Sequence, residues 1–239
     1  MALGSRARVV EAGAGEGMLT TALAERAGDV VAVERDRAAW ERLCARFAGS
    51  DVVRPVLGDV LSMRFPREAF VLVGNVPFGI TSELMRLALF GERRPVAAYF
   101  VLERDAALHW AGAGRSSVMS VLARAGWELD IRMALRRGDF VPRPGTDCVL
   151  LAARRRERPL VDACLWERFE AFVRAGFGRG RGDVRRNLRG KVGYRALKRA
   201  AATGGFSIDA RPSELSNEQW VALFLGTHGP HKVGARGRA

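Results

Sequence analysis

The stretch Phe70-Val71-Leu72-Val73-Gly74-Asn75-Val76-Pro77-Phe78-Gly79 is a continuous apolar run that is cut off by Gly-Asn and then by a Pro-Phe pair. Such a run predicts a buried strand that leads into a rigid turn at its carboxyl end, where α/β sheets bind their ligands. Asn75 has a carboxamide oxygen, Pro77 fixes its own backbone and Phe78 offers an aromatic face. The turn can therefore hold a flat ring that carries an amine. The alternative is an ordinary proline turn with Phe78 packed in the core.

A glycine loop precedes this stretch. Arg8 to Ala12 predicts a strand, and it breaks into Gly13-Ala14-Gly15-Glu16-Gly17 before a helical pattern over residues 18–25. Glycines at Gly13, Gly15 and Gly17 let the backbone turn sharply and approach a ligand, while the helix supplies free N–H groups. The spacing is not that of the dinucleotide motif, and a plain tight turn is the alternative.

Two carboxylates follow the loop at predicted strand ends. Glu34 closes a strand over residues 29–36, about twenty residues beyond the loop, where nucleoside-binding folds place a ribose-binding acid. Asp59 lies just past a third strand over residues 51–57 and could accept a hydrogen bond from the adenine amine of a cofactor. The alternatives are a solvated strand end for Glu34 and a capping or turn aspartate for Asp59.

The alternation of strands and helices continues and predicts a mostly parallel sheet covered on both faces. Further helices are predicted over residues 37–47, 81–89 and 116–125, a fifth strand over 95–103, and a late hairpin from 127–131 and 148–152. The Pro-rich loop Phe140 to Gly145 joins the hairpin strands. Composition changes at Arg154 to Pro159, which we interpret as a domain boundary.

Beyond that boundary the pattern is helical. Helices are predicted over residues 164–175, 192–202 and 217–225, and Ser216 with Gln219 resembles a capping box for the last of them. Residues 1–153 are thus predicted to form the α/β domain, residues 159–227 a small all-α domain, and residues 228–239 a disordered tail.

The chain is strongly basic, with 39 Lys and Arg against 26 Asp and Glu and a net charge of +13. This predicts a polyanionic partner. The segment from Gly178 to Lys191 is rich in Arg and Gly, which predicts a flexible, strongly positive segment, and it is the candidate for contacts with a phosphate backbone. The arginines in question are Arg179, Arg181, Arg185, Arg186 and Arg189. The alternatives are a genome rich in Arg codons and a merely solvated loop.

The remaining composition limits the class of protein. Cys44, Cys148 and Cys164 are odd in number and far apart, and the three histidines are scattered, so we expect a reducing cytoplasm and no metal site. No apolar run approaches the length of a membrane span, which predicts a soluble intracellular protein.

Taken in order, these motifs resemble the S-adenosylmethionine-dependent rRNA adenine N6-methyltransferases. They are Glu11 to Gly17 with Leu19-Thr20, then Glu34, then Gly58 to Leu61, then Asn75 to Phe78. Phe140 to Pro144, Arg174 to Phe177, Arg185 to Leu188 and Glu218 to Trp220 resemble the Erm branch, which acts on 23S rRNA and confers macrolide, lincosamide and streptogramin B resistance. The resemblance extends from Arg8 to Leu225.

The resemblance implies a Rossmann-like methyltransferase domain with a seven-stranded type of sheet, followed by a helical RNA-binding domain. It also implies S-adenosylmethionine as cofactor and 23S rRNA, protein-free or in an assembling large subunit, as partner of a monomer. The implied catalytic residues are Asn75, Val76, Pro77 and Phe78. The implied cofactor-binding residues are Glu11, Gly13, Gly15, Gly17, Glu34, Asp59 and Asn75.

One motif of the family that this sequence resembles is not found among its residues. Its members carry a Gln-Asn-Phe segment ahead of the first strand, whereas this sequence starts with Met1-Ala2-Leu3-Gly4-Ser5 almost at the strand. We expect either a truncated or misstarted sequence or weaker binding of cofactor and substrate. The rival interpretations are a dimethyltransferase of the small-subunit rRNA, a DNA adenine methyltransferase, and a non-catalytic RNA-binding protein that keeps the fold.

Overall fold

A computed structural model of the chain describes residues 6–75, 78–140, 143–178 and 182–228. These residues divide into two compact units. The first comprises the described residues up to Ala107 together with those from Trp127 to Arg155, and the second comprises Leu108–Gly126 together with the described residues from Arg156 onward. The predicted catalytic domain ran without interruption to residue 153, whereas this division assigns residues 108–126 to the second unit.

The first unit is built on one sheet, which has seven strands within the described residues. The strands are β1 (Arg8–Ala12), β2 (Asp29–Glu34), β3 (Val53–Leu57), β4 (Val71–Asn75), β5 (Ala97–Glu103), β6 (Trp127–Leu135) and β7 (Cys148–Arg155). Their order is β3-β2-β1-β4-β5-β7-β6. The first five strands are parallel. Strands β6 and β7 form the predicted late hairpin, and β7 pairs with β5 in antiparallel orientation.

Helices follow four of the first five strands, and β3 is joined to β4 without one. The helices after β1, β2, β4 and β5 are α1 (Met18–Ala24), α2 (Arg37–Arg46), α3 (Thr81–Phe90) and α4 (Arg104–Ala111). Helix α4 was not predicted, because it follows β5 directly at Arg104 with no glycine or proline to mark the change. The other helices are α5 (Val118–Gly126), α6 (Trp166–Phe177), α7 (Val184–Asn187), α8 (Tyr194–Gly204) and α9 (Asn217–His228). No helix among the described residues is long and apolar enough to cross a membrane.

The sheet core explains the apolar runs of the sequence. Strand β1 lies between β2 and β4, and its residues Val9 and Val10 are fully buried. Val30 of β2 and Leu72 of β4 are fully buried as well. Because parallel strands buried on both faces read as continuous apolar runs, the strands could be recognised from composition.

The second unit has an aromatic core. Trp220 and Phe224 of α9 and Phe169 of α6 are fully buried, and Phe177 stacks on Trp220 with 5.1 Å between ring centroids. The predicted capping box is present, because the backbone N–H of Gln219 donates to the Ser216 hydroxyl at 3.1 Å and Ser216 N–H donates to the Gln219 side chain at 2.8 Å. The prediction of helices in this region is therefore correct.

One interpretation of this region is wrong. Residues 178–191 were expected to form a flexible segment, but residues 184–187 form α7, with Val184 and Leu188 buried. Asp183 caps α7 by accepting from the backbone N–H of Arg186 at 2.6 Å, and the Asn187 amide donates to the Gly176 carbonyl at 2.9 Å. These apolar and capping residues order the part of the segment from Asp183 to Leu188 despite its charge.

Candidate functional site

The carboxyl ends of the parallel strands form the predicted ligand-binding edge. Ala12 of β1 is in register with Val33 of β2 and with Gly74 of β4, and Glu34 is in register with Leu57. The loops that follow these strands therefore begin side by side. This register brings together motifs that are far apart in the sequence, such as those beginning at Gly13 and at Asn75.

A cleft of about 180 Å³ opens at this edge, and we call it the cofactor cleft. Its lining residues are Ala12, Gly13, Val33, Glu34, Arg35, Gly58, Asp59, Val60, Ile80 and Leu84. Three of the seven predicted cofactor residues, Gly13, Glu34 and Asp59, thus line one cleft. The apolar walls from Val33, Val60 and Ile80 were not predicted, although Ile80 is an apolar residue directly after the Pro-Phe turn.

The glycine loop is tied to the end of β2. The backbone N–H groups of Gly13 and Ala14 both donate to the Val33 carbonyl at 3.0 Å, and Gly15 N–H donates to the Glu34 carboxylate at 2.8 Å. Gly13, Gly15 and Gly17 all have positive φ angles, which explains glycine at each position. Glu34 therefore positions the loop as well as lining the cleft.

Gly15 and Gly17 differ in their surroundings. A Cβ atom on Gly15 would meet nothing within 4 Å, so the space beside it is open to a ligand. A Cβ on Gly17 would lie 2.7 Å from Phe47 and 2.9 Å from Leu43, both of which pack against this turn. Gly17 thus has a packing role that sequence spacing could not separate from a cofactor contact.

Both carboxylates of the cleft have backbone partners. The second oxygen of Glu34 accepts from Asp36 N–H at 2.8 Å, and Asp59 Oδ1 accepts from Leu61 N–H at 2.9 Å. Asp59 therefore stabilises a turn, which was the alternative to a cofactor contact, and it also lines the cleft. Its second carboxylate oxygen has no hydrogen-bond partner among the described residues, so it can accept from a bound amine.

Glu11 is buried beneath the loop rather than on the cleft lining. Only 1% of its surface is exposed, and it accepts a hydrogen bond from the Thr20 hydroxyl at 2.6 Å. Burial raises the pKa of Glu11 to about 7, although the hydrogen bond from Thr20 works against this and the Glu34 charge adds to it. Glu11 thus links β1 to α1 and holds the start of the helix.

Asn75 is the last residue of β4 and is exposed. Its backbone carbonyl lies 4.0 Å from the position that a Cβ on Gly13 would take. The predicted catalytic turn therefore starts beside the glycine that lines the cofactor cleft. Val76, Pro77 and the side chain of Phe78 lie outside the described residues.

Part of the predicted basic surface lines a groove in the second unit, which we call the basic groove. It has a volume of about 780 Å³ and is lined by Asp183, Arg185, Arg186, Arg189, Gly190, Val192, Tyr194 and Leu197. Arg185, Arg186 and Arg189 are thus brought together, while Arg179 and Arg181 lie outside the described residues. Arg185 forms an ion pair with Asp209 at 2.9 Å.

The family model for ribosomal RNA adenine dimethylase matches residues 2–227. The chain belongs to the ribosomal RNA adenine dimethylase family. The family predicted from the motifs is thereby confirmed.

Individual relatives of the chain carry the names of rRNA methyltransferases, in agreement with this family. The rRNA adenine N-6-methyltransferase of Saccharopolyspora erythraea is 31% identical over 216 residues, which cover 90% of this chain and 57% of the relative. This chain therefore spans little more than half the length of that relative. The ribosomal RNA small subunit methyltransferase A of Acidobacterium capsulatum is also 31% identical, over 93% of this chain and 81% of its own length.

A solved structure confirms the fold. The crystal structure of the 23S rRNA methyltransferase ErmE matches with a TM-score of 0.88 at 30% identity, and the match covers 94% of this chain and 92% of that one. The predicted Rossmann-like methyltransferase sheet with a helical carboxyl-terminal region is thus correct.

Proposed function

We propose that this family member transfers a methyl group from S-adenosylmethionine to the exocyclic N6 of an adenine in 23S rRNA. Membership of the ribosomal RNA adenine dimethylase family supports an rRNA adenine methyltransferase activity that uses this cofactor. The observation that carries the proposal is the meeting of Gly13, Glu34 and Asp59 in one cleft beside the strand end at Asn75. The 23S target rests on the similarity to ErmE over nearly the full length of both chains.

The residues of the cofactor cleft fit S-adenosylmethionine. Glu34 provides a carboxylate for the ribose hydroxyls, and the unpaired oxygen of Asp59 can accept from the adenine amine of the cofactor. Val33, Val60 and Ile80 provide apolar walls for the ring, and the open space at Gly15 leaves room for the ligand. When bound, the cofactor supplies an electrophilic methyl group on its sulfonium.

The protein then has to orient a weak nucleophile. The N6 lone pair of adenine is delocalised into the ring, so a tetrahedral nitrogen must be favoured over a planar one. The Asn75 carboxamide accepts one N–H of the amine, and the backbone carbonyl of Val76 or Pro77 accepts the other. Phe78 stacks on the adenine once this base has flipped out of the RNA. Catalysis thus comes from positioning rather than from a strong base.

The basic groove provides the RNA contact in this proposal, through Arg185, Arg186 and Arg189, with Arg179 and Arg181 adjoining them in sequence. The enzyme acts as a monomer in the cytoplasm, where protein-free or assembling large subunits are found. Methylation of 23S rRNA would protect the host from macrolides, lincosamides and streptogramin B.

The experiment is methylation of protein-free 23S rRNA with labelled S-adenosylmethionine, followed by primer extension to locate the modified base. We expect one modified adenine in 23S rRNA and none in 16S rRNA. The Acidobacterium relative makes a small-subunit methyltransferase the second candidate, and label in 16S rRNA alone would favour it. RNA binding without any cofactor binding by calorimetry, and with no transfer to either RNA, would favour a non-catalytic RNA-binding protein.

A further inference from the structure

Tyr194 is an exposed aromatic residue in the basic groove that the methyl-transfer reaction does not use. It is the first residue of α8, and 56% of its surface is exposed, whereas the chain's other tyrosine, Tyr99, is buried. Among the described residues its ring makes no aromatic contact and its hydroxyl no hydrogen bond. A large, flat and exposed apolar face beside cationic side chains is suited to a ligand that is itself flat.

The charge around Tyr194 favours an anionic ligand. From Arg185 to Arg199 the sequence contains seven Lys and Arg residues and no acid. Within the described part of the chain, Arg186 and Arg189 are exposed and form no ion pair with a carboxylate. Asp183 also faces the groove, but one of its oxygens caps α7. Two uncompensated guanidinium groups therefore lie in the same groove as the ring.

The groove floor is apolar. Leu197 is 2% exposed and Val192 is half-buried, and both line the groove with Tyr194. Its volume of about 780 Å³ falls within the range of sites that enclose a small organic ligand. A ring, an apolar floor and flanking guanidinium groups together match one unpaired nucleotide with its neighbouring phosphates.

We propose that the basic groove binds a single-stranded RNA segment, with one unpaired base stacked on Tyr194 and the flanking phosphates on Arg186 and Arg189. A base inside a duplex is already stacked on both faces, so the aromatic ring selects an unpaired nucleotide. The inference rests on the proposed function, because it concerns the same RNA-binding surface. It adds that the RNA bound in the groove is single-stranded and that Tyr194 recognises its unpaired base.

The test measures binding of the full chain to three RNA probes of about 12 nucleotides, a length within the site sizes of single-strand binding proteins. The probes are a mixed-sequence single strand, the same strand paired with its complement, and an abasic ribose-phosphate strand. Tyr194→Ala should weaken binding of the single strand roughly five- to a hundredfold, the range found for loss of one stacked base. The same variant should bind the duplex and the abasic strand as the parent does.

Two further variants separate stacking from folding and from general apolar contact. Tyr194→Phe keeps the ring and should bind like the parent, whereas Tyr194→Leu keeps apolar bulk and should be as weak as Tyr194→Ala. The matched control is Leu225→Ala, which removes an exposed apolar side chain from α9, outside the groove, and should have no effect. Circular dichroism checks that each variant is folded.

The outcomes distinguish this inference from the proposed function. Parent-like binding by Tyr194→Ala, or an equal loss on the abasic strand, would overturn stacking on Tyr194. If Arg186→Gln and Arg189→Gln still weaken RNA binding in that case, the RNA surface stands and only the stacking inference fails. If neither arginine variant changes binding of any probe, the RNA surface of the proposed function is also wrong.

Discussion

The cofactor cleft and the basic groove hold their charged side chains in different ways. In the cleft, both oxygens of Glu34 accept backbone hydrogen bonds, and Asp59 accepts one from Leu61. In the groove, the described residues leave Arg186 and Arg189 without a carboxylate partner. The carboxylates of the cleft are thus oriented before a ligand arrives, whereas the groove offers two guanidinium groups that bound phosphates could neutralise. Substitutions in the cleft should therefore act on chemistry, cofactor affinity or folding, and those in the groove on salt-dependent RNA binding.

The largest effect is expected from Asn75→Ala, which removes the proposed acceptor for the adenine amine. Loss of one well-placed polar contact in a preorganised site costs about 10²–10³ in rate. Single-turnover methyl transfer should fall by that factor, with cofactor and rRNA affinities within a few-fold of the parent. A susceptible bacterium that expresses the variant should grow poorly on erythromycin.

Ser62→Ala is the matched control for this change, because it removes an exposed hydroxyl whose one hydrogen bond among the described residues is to the Asp59 carbonyl. It should leave transfer unchanged. Full transfer by Asn75→Ala would show that the catalytic turn is misassigned.

The buried Glu11 should make stability depend on pH. Its pKa is raised from an ordinary 4.5 to about 7 in the folded chain, so the folded state retains a proton that the unfolded state releases. The contribution of protonated Glu11 to the free energy of unfolding is fully present below pH 4.5 and is lost as the pH rises to about 7. The loss is on the order of 3 kcal/mol. Glu11→Gln should remove this loss and flatten the curve obtained from urea unfolding.

Glu41→Gln provides the comparison for Glu11, because it neutralises an exposed glutamate on α2. Its stability curve should follow that of the parent. A Glu11→Gln protein with the parental pH dependence would mean that Glu11 is ionised in the folded chain.

Glu34→Ala should lower cofactor affinity. A hydrogen bond to a charged group contributes about 1.5–3 kcal/mol, so we expect at least a roughly tenfold rise in Kd measured by calorimetry. Asp36→Ala is the control, since Asp36 lies at the same strand end but caps α2 through the N–H of Ala39 at 2.8 Å. It should cost stability and leave cofactor affinity unchanged, and equal losses in both variants would contradict the assignment of Glu34.

The two glycines should separate folding from ligand binding. Gly15→Ala and Gly17→Ala share the strain of a positive φ, but only Gly17→Ala would overlap Phe47 and Leu43. Gly17→Ala should therefore be less stable by about 1–3 kcal/mol than Gly15→Ala in urea unfolding. Gly15→Ala should instead bind the cofactor more weakly than Gly17→Ala, because our proposal places the ligand in the open space beside Gly15. The same order in both measurements would mean that the glycines have one shared role.

These cases also show what the sequence could predict. Strands β1 to β5 and the residues at their ends were recognisable, because buried parallel strands are continuous apolar runs and their carboxyl ends meet at one edge. The packing role of Gly17 depends on Phe47, thirty residues away, and no local pattern contains that contact. The order of α7 depends on buried Val184 and Leu188 within a segment whose arginines and glycines suggested flexibility. Tyr194 was missed because exposure and the shape of a groove are properties of the folded chain.

The smallest effect is expected in the groove, from Arg189→Gln. A lost phosphate contact on a single strand lowers the slope of log affinity against log salt by about 0.7, and the affinity loss should shrink as salt is added. Arg168→Gln is the matched control, because it removes an exposed arginine from α6 in the same unit, outside the groove. If RNA responded only to the total charge of the chain, both variants would weaken binding equally. A slope change confined to Arg189→Gln, with cofactor affinity at the parental value, would instead show that the groove binds phosphate at a defined position and acts independently of the cofactor cleft.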